Sequence, residues 1–323
     1  MLDALILMLR NVILFVALAV PGFLLVKCKI LKTEHTNPLS ALLMYVGMPF
    51  LVVSSTAKVD LTVDKLVGIG AIALLTIVFV FSTFFLSKPL TLMEKEKKKK
   101  GVMQFCILFC NNVFFGIPLA RAVFGEGSTE VIFLIVIGII TNIFMYTLGV
   151  YMISGDKRTI SVKKVLLSPV LIAFVLGLGL NLLDKWVKFS SYIPEIHTYT
   201  GYFGNIVTPL SMTILGMKLG GVQFKKLFAS WKMFYVSAFK LIIIPAIFIG
   251  CMLLLRLFIP NVVSVEMIFA AFVGFGMPTA SLSTTFSDLY DGDVENAVSY
   301  TLGSTILSIV TIPVLYWLLC MIL

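Results

Sequence analysis

Ten stretches of about twenty apolar residues follow one another along this chain, and a segment of that length crosses a bilayer as a helix. They fall at about Ala4–Val26, Leu39–Ala57, Leu66–Ser87, Val102–Val123, Glu130–Ile153, Val165–Leu183, Tyr199–Leu219, Met233–Phe258, Val265–Phe286 and Ala297–Ile322. The main connectors, Thr159–Lys164, Trp186–Glu195 and Gly220–Trp231, are too short to hold a folded soluble domain. Met1–Val26 lacks a basic leader and ends in Lys27 and Lys29 rather than at a cleavage site, so it reads as an uncleaved first span.

Hydrophobic residues are 59% of the chain and charged ones 13%, and the mean hydropathy is +1.06. A soluble domain is about half apolar and a quarter charged. The expected fold class is therefore an all-α polytopic membrane protein in direct contact with the lipid bilayer. The pI near 9.3 does not indicate nucleic acid, because the basic residues gather in the connections between spans. The odd connections carry most of them: Lys27, Lys29 and Lys32; Lys88, Lys95 and Lys97 to Lys100; Lys157, Arg158, Lys163 and Lys164; Lys218, Lys225, Lys226 and Lys232. Basic loops stay on the cytoplasmic side, so both termini are predicted to face outward from a plasma or inner membrane. The ninth connection, with Asp288, Asp291, Asp293 and Glu295, departs from this count, but acidic residues weigh little in it.

Five and five spans echo each other. The fourth contains Gly116-Ile117-Pro118 and the ninth Gly276-Met277-Pro278, and the span after each carries Thr-Leu-Gly, at Thr147–Gly149 and Thr301–Gly303. Spans two and seven share an internal proline, Pro49 and Pro209. An odd number of spans per copy inverts the second, giving a 5+5 inverted repeat over residues 1–157 and 158–323. Proline inside a helix costs about 3 kcal/mol. In lipid the freed carbonyls survive only within protein or beside an aqueous cavity. Matched interruptions in two halves therefore mark spans four and nine as broken helices flanking a transport site.

Around these breaks stand the candidate residues. Asn111 and Asn112 offer amide donors and acceptors without a buried charge. Half-helix N-termini, expected to begin just past each proline at Leu119 and Thr279, favour an anion. Thr279, Ser281, Ser283 and Thr284 form a hydroxyl cluster, for which helix–helix bonding is the plainer role. Lys240 lies too deep in span eight for easy access to the interface. It balances an anion, pairs with Glu266 or Asp288, or donates to carbonyls exposed by a break. The candidate substrate contacts are thus Asn111, Asn112, Gly116, Pro118, Gly276, Pro278, Thr279, Ser281 and Lys240. The five cysteines have no disulfide or zinc spacing, and there is no HExxH, Walker loop or GxSxG elbow. Neither an enzyme nor a cofactor or metal is expected.

Asn111 to Leu119, read with the ten-span plan, resembles the auxin efflux carrier family, which includes the plant PIN carriers and bacterial malate and malonate transporters. Lys240 with Pro245, Met212–Gly220 and Pro278 are similar to further family positions. The resemblance implies a scaffold of spans one, two, six and seven, which forms a homodimer in the plant carriers, and a transport domain of spans three to five and eight to ten. It implies elevator-like alternating access carrying a small organic anion such as a carboxylate, with Asn111 a substrate contact and Pro118 and Pro278 the crossover pair. Energy would come from a proton or sodium gradient. A sodium-coupled organic-anion symporter or cation/proton antiporter of the same architecture is the alternative, and a channel or membrane receptor the alternative from another class.

Overall fold

A computed structural model describes residues 2–59, 62–159, 167–188, 192 and 195–323. The connector Thr159–Lys164, with Lys163 and Lys164, lies almost wholly outside them, and so does part of Trp186–Glu195. In chain order the helices are α1 (Leu2–Lys27), α2 (Thr33–Ala57), α3 (Val63–Leu90), α4 (Lys97–Leu108), α5 (Asn112–Phe124), α6 (Thr129–Ser154) and α7 (Pro169–Val187). There follow α8 (Glu195–Asn205), α9 (Val207–Gly220), α10 (Phe224–Ala229), α11 (Trp231–Phe258), α12 (Val265–Gly276), α13 (Leu282–Leu289) and α14 (Val294–Ile322).

Among the described residues, six helices are long and apolar enough to cross a membrane: α1, α2, α3, α6, α11 and α14. Three shorter apolar helices, α5, α7 and α12, accompany them. Side-chain oxygens start several of these helices by accepting an orphaned backbone N–H. Ser128 takes that of Val131, Ser264 that of Met267, and Asp293 that of Asn296.

Packing divides the helices into neighbourhoods. α1 lies along α9, and α2 along α7 and α8; α3 lies on α6, α6 on α12, and α11 on α14. The α1–α9 contact depends on glycine. A Cβ on Gly216 would stand 1.8 Å from the Ala19 carbonyl oxygen, and one on Gly22 would stand 1.9 Å from that of Thr213. Lipid-like surroundings provide no hydrophobic drive between helices, so close backbone approach through small residues holds such pairs.

Among the described residues, four π-turns widen the helices, at Leu43–Gly47, Asn112–Gly116, Met145–Gly149 and Phe239–Ile243. Three of them end two residues before a proline: Pro49, Pro118 and Pro245. The proline ring clashes with the carbonyl four residues back and donates nothing to it, and an added residue in the turn relieves the clash. The fourth ends at Gly149, where a Cβ would come within 2.7 Å of the Phe105 ring.

This corrects one sequence expectation. Pro118 does not begin a half-helix. The π-turn absorbs it, and the helix is already running from Asn112. The chain breaks earlier, between Leu108 and Asn112. In the second half the break does lie at the proline, and the helix resumes at Leu282 rather than at Thr279.

Candidate functional site

The two interruptions meet. The Asn111 N–H donates to the Pro278 carbonyl at 2.8 Å, and the Ala280 N–H donates to the Phe109 carbonyl at 3.0 Å. Cys110 and Thr279 thereby form an antiparallel bridge. Each break leaves backbone groups that no bilayer water satisfies, and each break supplies the partners the other lacks. The remaining groups are satisfied by side chains. Thr279 Oγ1 donates to the Cys106 carbonyl at 3.0 Å, and the Thr279 N–H donates to Ser304 Oγ at 3.1 Å.

Lys240 completes this arrangement. Its Nζ donates to the Leu108 carbonyl at 3.3 Å and to Cys110 Sγ at 2.6 Å, and that thiol donates to the Phe275 carbonyl at 3.3 Å. Leu108 ends α4, and Phe275 lies in the last turn of α12. One fully buried ammonium therefore sits at the negative ends of both incoming half-helices, directly on one and through a thiol on the other. Of the three roles open to Lys240 from sequence, the carbonyl-donor role is the observed one; it pairs with neither Glu266 nor Asp288.

The outgoing half-helices α5 and α13 begin beside two small cavities, each of about 20 Å³, close to what one water occupies. Asn111, Phe114 and Ser281 line both. Asn111 Nδ2 donates to Ser281 Oγ at 3.1 Å, joining one break to the other through side chains. The first cavity continues to Ser40, Ser211 and Lys218, and the second to Asn112, Thr141 and Asn142. Asn112 Nδ2 lies 3.4 Å from Thr141 Oγ1, but Asn112 Oδ1 and Asn142 Nδ2 are buried without hydrogen-bond partners. Orphaned amide atoms beside a cavity are costly and call for an occupant. A wider cleft of about 540 Å³, between Tyr45, Tyr146 and Tyr290, shares Met44 and Leu282 with the second cavity.

The nine sequence candidates thus separate. Asn111, Asn112 and Ser281 face the cavities. Thr279 and Lys240 are spent on backbone groups, and Pro278 accepts from Asn111. Gly116 abuts Met277, since a Cβ there would come within 3.3 Å of its side chain. Gly276 closes α12, where a Cβ would meet nothing nearer than 3.7 Å, and Pro118 lies buried within α5. Sequence reasoning missed Lys218, Ser211, Ser40 and Asn142. Lys218, at the boundary of the seventh stretch and counted with the basic connections, belongs to α9, and its seven-residue spacing from Ser211 along one helix face is the only local signal of it.

Away from the crossing, the Glu126 carboxylate holds two cations. Lys58 Nζ is 2.6 Å from it, and Arg121 binds its other oxygen. Burial first, and then the Arg121 guanidinium, push the Lys58 ammonium below the usual lysine range. Lys58 follows α2 and Glu126 precedes α6, so the carboxylate links two helix groups.

Comparison with known proteins points to transport. Residues 7–165 match the family model described as membrane transport protein, and residues 206–323 match that of the sodium bile acid symporter family. The chain is 26% identical over 312 residues to an uncharacterized transporter of Methanothermobacter thermautotrophicus, covering 94% of this chain and 96% of that one. It is also 26% identical over 298 residues to an uncharacterized transporter of Methanocaldococcus jannaschii, covering 90% and 92%.

Proposed function

From the match of residues 7–165 to the membrane transport protein family, we infer that the protein is a secondary carrier for a small organic anion. The observation that carries this reading is the crossing itself. Asn111 and Ser281, hydrogen-bonded across the two breaks, sit where α5 and α13 begin and where two cavities adjoin unpaired amide atoms. Helix N-termini favour negative charge, and amides bind a carboxylate without the cost of an unpaired buried ion.

The carrier is read as ten spans in a 5+5 inverted repeat. The six long helices and the shorter α7 account for seven spans, and the pairs α4–α5, α8–α9 and α12–α13 form the other three. Alternating access is elevator-like, with α3 to α6 and α11 to α14 moving against α1, α2 and α7 to α9. The close α1–α9 and α2–α7 packing on one side, and α3–α6–α12 on the other, supports that division, with α1 against α14 as the main contact between the two groups. Cavities with room for about one water suit a closed-down site that enlarges when the two groups separate. The protein is placed in the cell membrane with both termini outside, and the scaffold is the surface for a homodimer.

The match of residues 206–323 to the sodium bile acid symporter family favours a second reading, in which sodium drives the anion. The experiment for both is counterflow in proteoliposomes against mono- and dicarboxylates, with and without sodium and a pH gradient. Asn111→Ala is expected to abolish exchange while the protein still reaches the membrane. Unchanged exchange would sink the site assignment, and dependence on a sodium gradient would select the second reading.

A further inference from the structure

Lys218 is the one cation that lines either of the two crossover cavities. It stands seven residues beyond Ser211 on α9, two turns along one face, and both side chains border the cavity that Asn111 and Ser281 close from the other side. Among the described residues Lys218 has no ion-pair partner; many exposed lysines share that, but Lys218 is half-buried and borders a cavity. Lys240, the other deep lysine, is occupied by the Leu108 carbonyl and the Cys110 thiol. A partly buried ammonium beside a polar cavity, with no counter-charge of its own, lacks an anion. The unpaired Asn112 Oδ1 and Asn142 Nδ2 on the far side of Asn111 point independently to an occupant of the same crossing.

Building on the carrier reading above, we propose that Lys218 takes the carboxylate of the transported anion, and that this single cation makes the site selective for monocarboxylates. A second carboxylate would find no cation among the lining residues, only neutral groups such as the hydroxyls of Ser40 and Ser211 and the apolar surface of Phe114 and Met212. Lys218 belongs to the helix held tightly against α1 through Gly22 and Gly216, whereas Asn111 and Ser281 belong to the crossing. When the two groups slide past each other the ammonium and the amides part. Lys218 therefore contacts substrate in the arrangement seen here and not in the opposite one.

The test uses the full chain in oriented proteoliposomes with labelled pyruvate, butyrate, malonate and L-malate as probes. Lys218→Gln should raise the half-saturating pyruvate or butyrate concentration about tenfold or more on one face of the membrane, and leave the other face within about threefold. Lys218→Arg should stay near wild type on both. In wild type, butyrate should compete about tenfold better than butyramide, and that ratio should collapse in Lys218→Gln. Equal competition by butyrate and butyramide in wild type overturns the proposal even if Lys218→Gln fails to fold. So does a preference for malonate or malate, or an equal loss on both faces. Loss of exchange in Asn111→Ala with no effect of Lys218→Gln defeats this inference alone. A wild-type protein that exchanges none of the four anions defeats it together with the carrier reading.

Discussion

The Lys240 ammonium stands 2.6 Å from the Cys110 thiol, and that thiol donates onward to the Phe275 carbonyl. Through this relay and its own bond to the Leu108 carbonyl, a single charge reaches the ends of helices that are about 165 residues apart in sequence. The lysine depth that suggested an electrostatic role in transport thus reflects a structural demand first. Two helices end inside the protein, their last carbonyls have no water, and a cation is the strongest donor for them.

Lys240→Met is expected to destabilise the protein by about 1.5–3 kcal/mol, the usual cost of losing a hydrogen bond to a charged group. Lys240→Arg should lose less, because guanidinium still donates to carbonyls. Thermal melting of the purified protein in detergent measures both. A methionine variant that melts with wild type would show that the carbonyls need no cation.

Asn142→Leu separates function from stability. Its Nδ2 is buried without a partner, so removing the amide takes away a desolvation cost of about 1–3 kcal/mol. The variant should melt at or above the wild-type temperature while exchanging anions more slowly, a sign of strain kept for function. Lower stability with unimpaired exchange would assign Asn142 to packing alone.

Gly216→Leu should prevent the α1–α9 contact, since even a Cβ would lie 1.8 Å from the Ala19 carbonyl. The expected result is loss of folded protein on gel filtration. Gly138→Ala, where a Cβ meets nothing within 4 Å, should be tolerated and serves as the control. Normal elution of Gly216→Leu would contradict the packing described here.

Glu126→Gln leaves Lys58 and Arg121 facing each other without the carboxylate between them. Lys58 and Glu126 are each 38% exposed, so solvent screening limits the loss to about 0.5–1 kcal/mol. Amide hydrogen exchange around residues 57–59 and 125–128 should quicken by about two- to fivefold. Exchange as slow as in wild type would show the pair to be idle.

The apolar stretches, the basic connections and the existence of a break in each half were legible from the chain alone. Hydropathy and the missing proline N–H are local properties, and the lipid acts on each segment separately. The place of the first break was not legible, because the π-turn before Pro118 moved the interruption to Phe109–Asn111, where Pro278 and Ala280 supply its hydrogen bonds. For Thr279 and Lys240 both a substrate role and a structural one were open, and only the fold brings Cys106 and Leu108, more than 130 positions away, to accept their hydrogen bonds. Lys218 and Asn142 looked ordinary until folding brought them beside Asn111. The sequence by itself determined that the chain is built from apolar helices of membrane-crossing length and that one apolar stretch in each half is interrupted. Only the tertiary structure decided which polar groups are spent on each other and which are left free to meet a ligand, because in a medium without water that outcome depends on partners from distant segments.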